Sequence, residues 1–301
     1  MSSQSIASRG GTDQVPAWSL ALASIVIVQT GAALSMSTFD SIGPSGTAFL
    51  RLLVGGMIFL VIARPRLREY TGAELRMAVV LGIVTGMMTV TFLHALERIP
   101  LATTVAIEFL GPLAVAALRS HSRRALLWPA LALIGVLLLT RPWTGEIDPV
   151  GICFALASAL GWATYIILTQ RVGDAFSGLQ GLAITIPIGA CVAGIVGMPG
   201  VWGHLTTTLI LQSIGLALLM PVIPFALELL ALRRLTTAAF GTLMALEPAV
   251  GTVLGVVLLA QFPNGFQVAG VVLVVIAGVG AERTGHRDNP GVIEPIPTQL
   301  T

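Results

Sequence analysis

Charge is absent from long parts of this chain. Neither Ala17–Ser37 nor Val150–Gln170 contains an Asp, Glu, Lys or Arg. Apolar stretches of this kind recur at Gly46–Ala63, Met77–Leu96, Leu101–Leu118, Ala125–Thr140, Leu179–Gly197, Leu209–Leu232, Thr236–Ala260 and Phe266–Ala281. A helix needs about 20 apolar residues to cross the hydrocarbon core, with a range of about 17–25. The fifth and tenth stretches are the shortest. The apolar residues fall in blocks rather than at helical or strand periods, so water is not the solvent for most of the surface. Of 301 residues, 55% are hydrophobic and 10% charged, where a soluble domain carries about a quarter charged. These features predict an all-α membrane protein with ten transmembrane helices, and the loops between them leave no room for a soluble domain.

The arginines test that count. With the N-terminus inside, the inside loops hold Arg9, the group from Arg64 to Arg76, Arg119, Arg123, Arg124, Arg171, Arg233, Arg234, Arg283 and Arg287, which is 13 of the 16 basic residues. Arg98 and Arg141 fall outside and Arg51 lies within a helix. This asymmetry follows the positive-inside rule and places both termini in the cytoplasm. A net charge of +2 gives no reason to expect a nucleic-acid partner. Cys153 and Cys191 both lie in apolar blocks and read as buried thiols behaving as small hydrophobes rather than a disulfide. Residues 1–16 are Ser/Gly-rich and residues 282–301 polar and Pro-containing; both are predicted to be disordered tails. The first apolar block is read as a retained helix rather than a cleaved signal.

The chain also repeats itself. Ala95–Leu118 aligns without a gap on Ala231–Leu254 at an offset of 136, pairing Arg98 with Arg234, Leu110 with Leu246 and Pro112 with Pro248. Ala21-Leu22-Ala23-Ser24 returns as Ala155-Leu156-Ala157-Ser158 at an offset of 134. The halves are 17–140 and 150–281. Five helices is an odd number, so the second half enters the membrane from the opposite side. Two inverted five-helix repeats are a common plan of secondary transporters, with the substrate site near the midplane between the halves.

Ionisable groups at membrane depth are expensive, about 2.5–3.5 kcal/mol on insertion scales, and mark functional positions by default. Glu108 lies about 10 Å into the fourth helix at 1.5 Å per residue. Pro112 has no N–H for the carbonyl of Glu108, so one residue carries both a carboxylate and a freed carbonyl. In the second half Pro248 frees the carbonyl of Met244, the repeat partner of Glu108, and Glu247 adds the acid. These groups suit binding of a substrate ammonium, carriage of a proton, or both; the bland alternative is a pair of protonated acids hydrogen-bonded between helices. Glu228 shares the eighth helix with Pro221 and Pro224, which break its middle. It reads either as part of a cytoplasmic entry or as snorkelling toward Arg233 and Arg234. Arg51 reads first as snorkelling to the outer headgroups and second as a partner for a substrate carboxylate. His94 reads as interfacial. Trp18, Trp128, Trp143 and Trp202 fit the aromatic belts, whereas Trp162, beside Gly161 mid-helix, is a cavity candidate. Gly82/Gly86 and Gly251/Gly255 have the spacing of close helix packing. No metal-ligand, cofactor or nucleophile motif is present, so an intramembrane enzyme is a distant alternative and a non-transporting scaffold another.

Ala106–Ala116 (AIEFLGPLAVA), Ala159–Leu168 with Gly161-Trp162, and Pro224–Ala249 (PFALELLALRRLTTAAFGTLMALEPA) together resemble the EamA-type drug/metabolite transporter superfamily, within it most closely the bacterial inner-membrane threonine/homoserine exporters. The similarity spans Pro16 to Glu282. The resemblance implies ten helices in two inverted halves, no cofactor, and export of small polar amino acids across the bacterial cytoplasmic membrane, by proton antiport with alternating access. The molecule would act as a monomer or homodimer, with another metabolite or drug as the alternative cargo. Glu108, Glu228 and Glu247 match acids of the exporter pattern. One departure is Ala260-Gln261, where such transporters often end the ninth helix with Gly-Glu.

Overall fold

Hydrocarbon offers no partner to a backbone N–H or C=O, so a lipid-facing segment must bond within itself. The computed structural model, which describes residues 16–119, 126–141, 144, 148–177, 179–232 and 243–284, is accordingly helical, with no strand among those residues. Helix α1 (Ala17–Ser35) passes through a tight turn, Met36–Thr38, into α2 (Phe39–Ala63). α2 begins seven residues before the predicted Gly46 because a short turn, Phe39–Ile42, precedes a bend at Gly43, where φ is +69° and Pro44 follows. α3 (Gly72–Arg98) opens on a capping box, Thr71 with Glu74. The fourth apolar stretch is two helices, α4 (Leu101–Glu108) and α5 (Leu110–Arg119). α6 (Leu127–Thr140), α7 (Pro149–Ala175) and α8 (Gln180–Val201) follow. The eighth stretch is also broken: α9 (Thr207–Ala217) leads through a widened turn at Leu218–Val222 into α10 (Ile223–Leu232). α11 (Glu247–Leu259) and α12 (Gly265–Thr284) complete the described chain.

Trp18–Ala63, Gly72–Arg98, Pro149–Gly173, Gln180–Val201 and Thr207–Phe225 are long and apolar enough to cross a membrane; Leu101–Val115, Leu127–Thr140, Glu247–Leu259 and Gly265–Ala281 are apolar but shorter. Large side chains on the outside, among them Val61, Leu160, Ile195, Val257 and Phe262, are mostly exposed. This is the surface of a membrane protein, since soluble monomers rarely carry apolar patches on that scale. The predicted C-terminal tail begins too early, since Glu282–Thr284 are the last residues of α12, and Cys153 and Cys191, read as buried, are exposed. Residues 1–15 and 285–301 of the predicted tails, Trp143, the loop arginines Arg123, Arg124, Arg233 and Arg234, and the predicted start of the ninth helix at Thr236 lie outside the described residues.

α2 packs along α8, α3 along α7 and α8, α1 along α10, α6 along α12, and α4 against α11. Small residues permit the closest approaches. A Cβ added to Gly82 would lie 2.7 Å from the carbonyl oxygen of Thr185, and one on Gly86 2.6 Å from that of Gly189. Gly135 and Gly270 approach each other's carbonyls reciprocally, at 2.7 and 2.6 Å by the same measure. Gly251 and Gly255 differ from their expected role. Added Cβ atoms there meet neighbours no closer than 3.4 and 3.3 Å, so this pair faces α4 at little less than ordinary van der Waals distance.

Two cores result. One gathers Ile107, Phe109, Leu113, Val274 and Ala277 around α6 and α12. The other gathers Phe59, Phe92, Leu93, Leu101 and Ile186 around α2, α3 and α8. The helix breaks lie near where the two meet.

Candidate functional site

A cavity of about 370 Å³ opens between the two cores. Its size is at the low end for a small-molecule site, about 300–1,000 Å³. Glu108, Glu228, Glu247, Arg51, Met244 and Trp162 all line it. Pro112, Pro221 and Pro224 line it as well; Pro248 is buried just behind, at the start of α11.

The local sequence explains how each acid reaches the cavity. α4 stops at Glu108 and α5 restarts at Leu110, with Pro112 in its first turn, where a missing N–H costs nothing. Glu247 is the first residue of α11, with Pro248 next, after a turn closed by Leu246 N–H to the carbonyl of Leu243 at 2.9 Å. Glu228 stands on α10, one turn beyond Pro224. The Ser24 hydroxyl donates to Glu228 Oε1 at 2.8 Å, and the Ser158 hydroxyl donates to Glu108 Oε1. Each serine also approaches a backbone carbonyl at 3.4 Å: Ser24 that of Pro224, Ser158 that of Met88. Met88 and Pro224 are themselves 136 residues apart. The charge of Glu247 interacts with those of both Glu228 and Glu108.

Arg51 is not where its first reading put it. It does not snorkel to the headgroups: its side chain is 2% exposed and faces the cavity from α2. Its Nη1 reaches the sulfur of Met220 at 3.4 Å, a weak acceptor, and its charge interacts with that of Glu108. The small residues that follow explain the difference: Gly55 and Gly56 let α2 lie against Pro221 and Pro187, so the face carrying Arg51 points into the bundle. Glu228 bonds Ser24 and lines the cavity, while its alternative partners Arg233 and Arg234 lie outside the described residues. Trp162 meets Phe109 edge-on at 6.2 Å between ring centres.

His94 is away from the cavity. Its Nε2 is 2.8 Å from the Ser45 hydroxyl, and its ring stacks on Phe154. Gln261, the departure from the exporter pattern, accepts the N–H of Leu101 at 3.0 Å and so caps the first turn of α4. Outside the membrane, Arg98 donates to Asp148 at 2.8 Å, and Asp148 caps α7 by accepting from Val150 and Gly151. The arginine, then the Val150 N–H, hold the Asp148 carboxyl below the usual aspartate range.

Sequence reasoning missed Gln29, Thr85, Thr89 and Tyr165, which also line the cavity. For Gln29 a signal existed: an amide in the middle of an otherwise apolar helix. No group of His, Cys, Asp and Glu among the described residues could hold a metal ion.

Known proteins resemble this chain over most of its length. Residues 149–280 match the EamA-like transporter family. The Threonine/homoserine exporter RhtA of Salmonella typhimurium is 31% identical, covering 93% of this chain and 96% of that protein. The protein of the same name from Escherichia coli K12 is 30% identical, over 93% and 97%. The Pseudopaline exporter CntI of Pseudomonas aeruginosa is 23% identical, over 78% and 85%. A solved crystal structure superposes with a TM-score of 0.60 at 20% identity, over 89% of this chain and 96% of that one, a likeness of fold. Identity of this extent, together with an apolar helical body around a charged cavity, means that the chain belongs to the EamA-like transporter family and is a membrane transporter rather than an enzyme.

Proposed function

We propose that this protein exports a small polar amino acid of the threonine or homoserine type across a bacterial cytoplasmic membrane in exchange for protons. The observation that carries the reading is the meeting of one guanidinium and three carboxylates, from four different helices, in one small cavity. A zwitterion needs both signs. Arg51 offers a fork for the substrate carboxylate, and Glu108 and Glu247 offer anions for its ammonium. The same two acids can instead take a proton. If ammonium and proton compete for one carboxylate, each leaves as the other arrives, which is antiport. The names of the relatives supply the cargo class.

In this reading, ten helices cross the membrane as two inverted five-helix halves, 17–140 and 150–281, with both termini in the cytoplasm. Repeat-equivalent contacts support it. α3 packs on α7 as α10 packs on α1, and the serines of the repeated tetrapeptide approach carbonyls 136 residues apart. Gly135 and Gly270, also near that offset, touch each other. The cavity then opens to one side at a time as one half rocks against the other. A second reading, export of a different zwitterionic metabolite, is favoured by the 23% identity to a protein named as a pseudopaline exporter.

The test uses the full chain in proteoliposomes loaded with labelled threonine, under an imposed pH gradient. Efflux should accelerate with an inward proton gradient and fall at least tenfold in Glu247→Gln and in Glu108→Gln. Unchanged efflux in both variants would end this assignment.

A further inference from the structure

Two cavity-lining residues each carry a buried polar atom with no hydrogen-bond partner among the described residues: Arg51 Nε and Gln29 Oε1. Gln29 is 3% exposed, and an unmet buried acceptor carries its full desolvation cost. Its place is well defined. A Cβ added to Gly251 would come 3.4 Å from Gln29 Oε1 and 3.5 Å from Val105 Cγ2, so the amide oxygen sits where α1, α4 and α11 meet. Val105 lies three residues before Glu108, and Gly251 four residues after Glu247. The amide therefore sits beside residues that are about one helical turn from each acid along α4 and α11.

We propose that Gln29 is a specificity-determining residue: on substrate binding its amide turns from the α1–α4–α11 junction toward the cavity it lines, and its oxygen accepts a hydrogen bond from a hydroxyl on the substrate side chain. This rests on the amino-acid reading above. The chemistry sorts itself by strength. An ammonium prefers the carboxylates, because charge-assisted bonds are about twice as strong as neutral ones. A carboxylate prefers Arg51. What remains for a neutral acceptor is a neutral donor, and a hydroxyl both donates and accepts, so it serves the amide in either orientation. A purely apolar side chain of the same size would displace water from Gln29 and leave the amide unpaired. Sites built around such a bond reject the analogue lacking it, whereas an apolar pocket separates the two only weakly.

Threonine and valine differ in shape by almost nothing but hydroxyl against methyl. Wild type and Gln29→Leu, as full-length chains in proteoliposomes, are compared for efflux of each. Wild type should favour threonine. In Gln29→Leu the threonine-to-valine ratio of kcat/KM should fall about tenfold or more, mainly through a higher KM for threonine, with valine efflux retained. Gln29→Asn, which keeps a neutral amide acceptor, should keep more of the threonine preference than Gln29→Leu. Gln29→Met is made alongside so that misfolding of one variant does not remove the comparison. An unchanged ratio, or equal loss for both substrates in folded variants, overturns the inference. A wild type that moves threonine and valine equally well overturns it too while leaving the amino-acid reading intact. A wild type that moves neither sinks that reading, and this one with it.

Discussion

Arg98 and Asp148 join the end of α3 to the start of α7 outside the membrane, and their pairing has a pH signature. The Asp148 carboxyl is held below its usual range by Arg98 and by the Val150 N–H. Its contribution to stability is therefore fully present above about pH 4, the unfolded value, and is lost as pH falls through the lower folded one. In Asp148→Asn, thermal unfolding in detergent should show a shallower loss of stability between about pH 4 and pH 2 than wild type; identical slopes would exclude the pairing. Arg51 makes a second prediction. Lysine keeps the charge but not the planar fork, so Arg51→Lys should raise the KM for threonine about tenfold with a smaller effect on kcat, measured as efflux. Individual charges were legible in the sequence because each is an anomaly among apolar neighbours: Glu108, Glu228 and Glu247 stand out on cost alone. Gln29 and Tyr165 were not, because an uncharged polar residue on an apolar helix is ordinary until packing decides which way it faces. Arg51 was misjudged for a related reason. Depth along one helix predicts an easy route to the headgroups, but the approach of α2 to α8 turns that face inward.

The helices themselves follow from apolar blocks: most described residues of the expected stretches are helical, with turns at Phe109 and at Ala245–Leu246. Where the helices break was partly legible. The prolines told where two of them do: the fourth stretch is interrupted after Glu108 and the eighth after Ala217, each four residues before a proline, Pro112 and Pro221, that cannot donate to the carbonyl there. Glycine spacing was a partial guide. Gly82 and Gly86 touch backbone across α3 and α8, so Gly86→Ala should destabilise by about 1–3 kcal/mol through overpacking, read as a lower Tm in detergent. Gly215 has nothing within 4 Å of an added Cβ, and Gly215→Ala in α9 should stabilise by about 0.4–1 kcal/mol. Opposite signs at the two sites would show that contact rather than helix propensity decides. Gln261 accepts from the first turn of α4. Gln261→Glu, which restores the commoner residue and can still accept, should leave efflux within about twofold of wild type, whereas Gln261→Ala should lose about 1 kcal/mol.

At the scale of the whole molecule, the sequence repeat was visible before any packing was known, and the proposed pair of halves rests on it together with the equivalent contacts given above. The cavity was visible only as a list of residues; what gathers them is tertiary, the meeting of two cores built from different helices. The topology makes a direct prediction: reporters fused before residue 16 and after residue 284 should both report the cytoplasm, and opposite sides would refute the inverted arrangement. The halves are nonetheless unequal in one respect. Ser24 holds an acid on α10 and Ser158 an acid on α4, while the residues corresponding to Glu228 and Glu108 are Phe92 and Met244. When such halves trade shapes, the new arrangement does not recreate the old one reflected; its acids face a different set of neighbours. Under the alternating access proposed above, the two orientations then differ in free energy, and an unloaded population should rest predominantly on one side, giving the protein a built-in direction of waiting that the lipid bilayer alone would not impose.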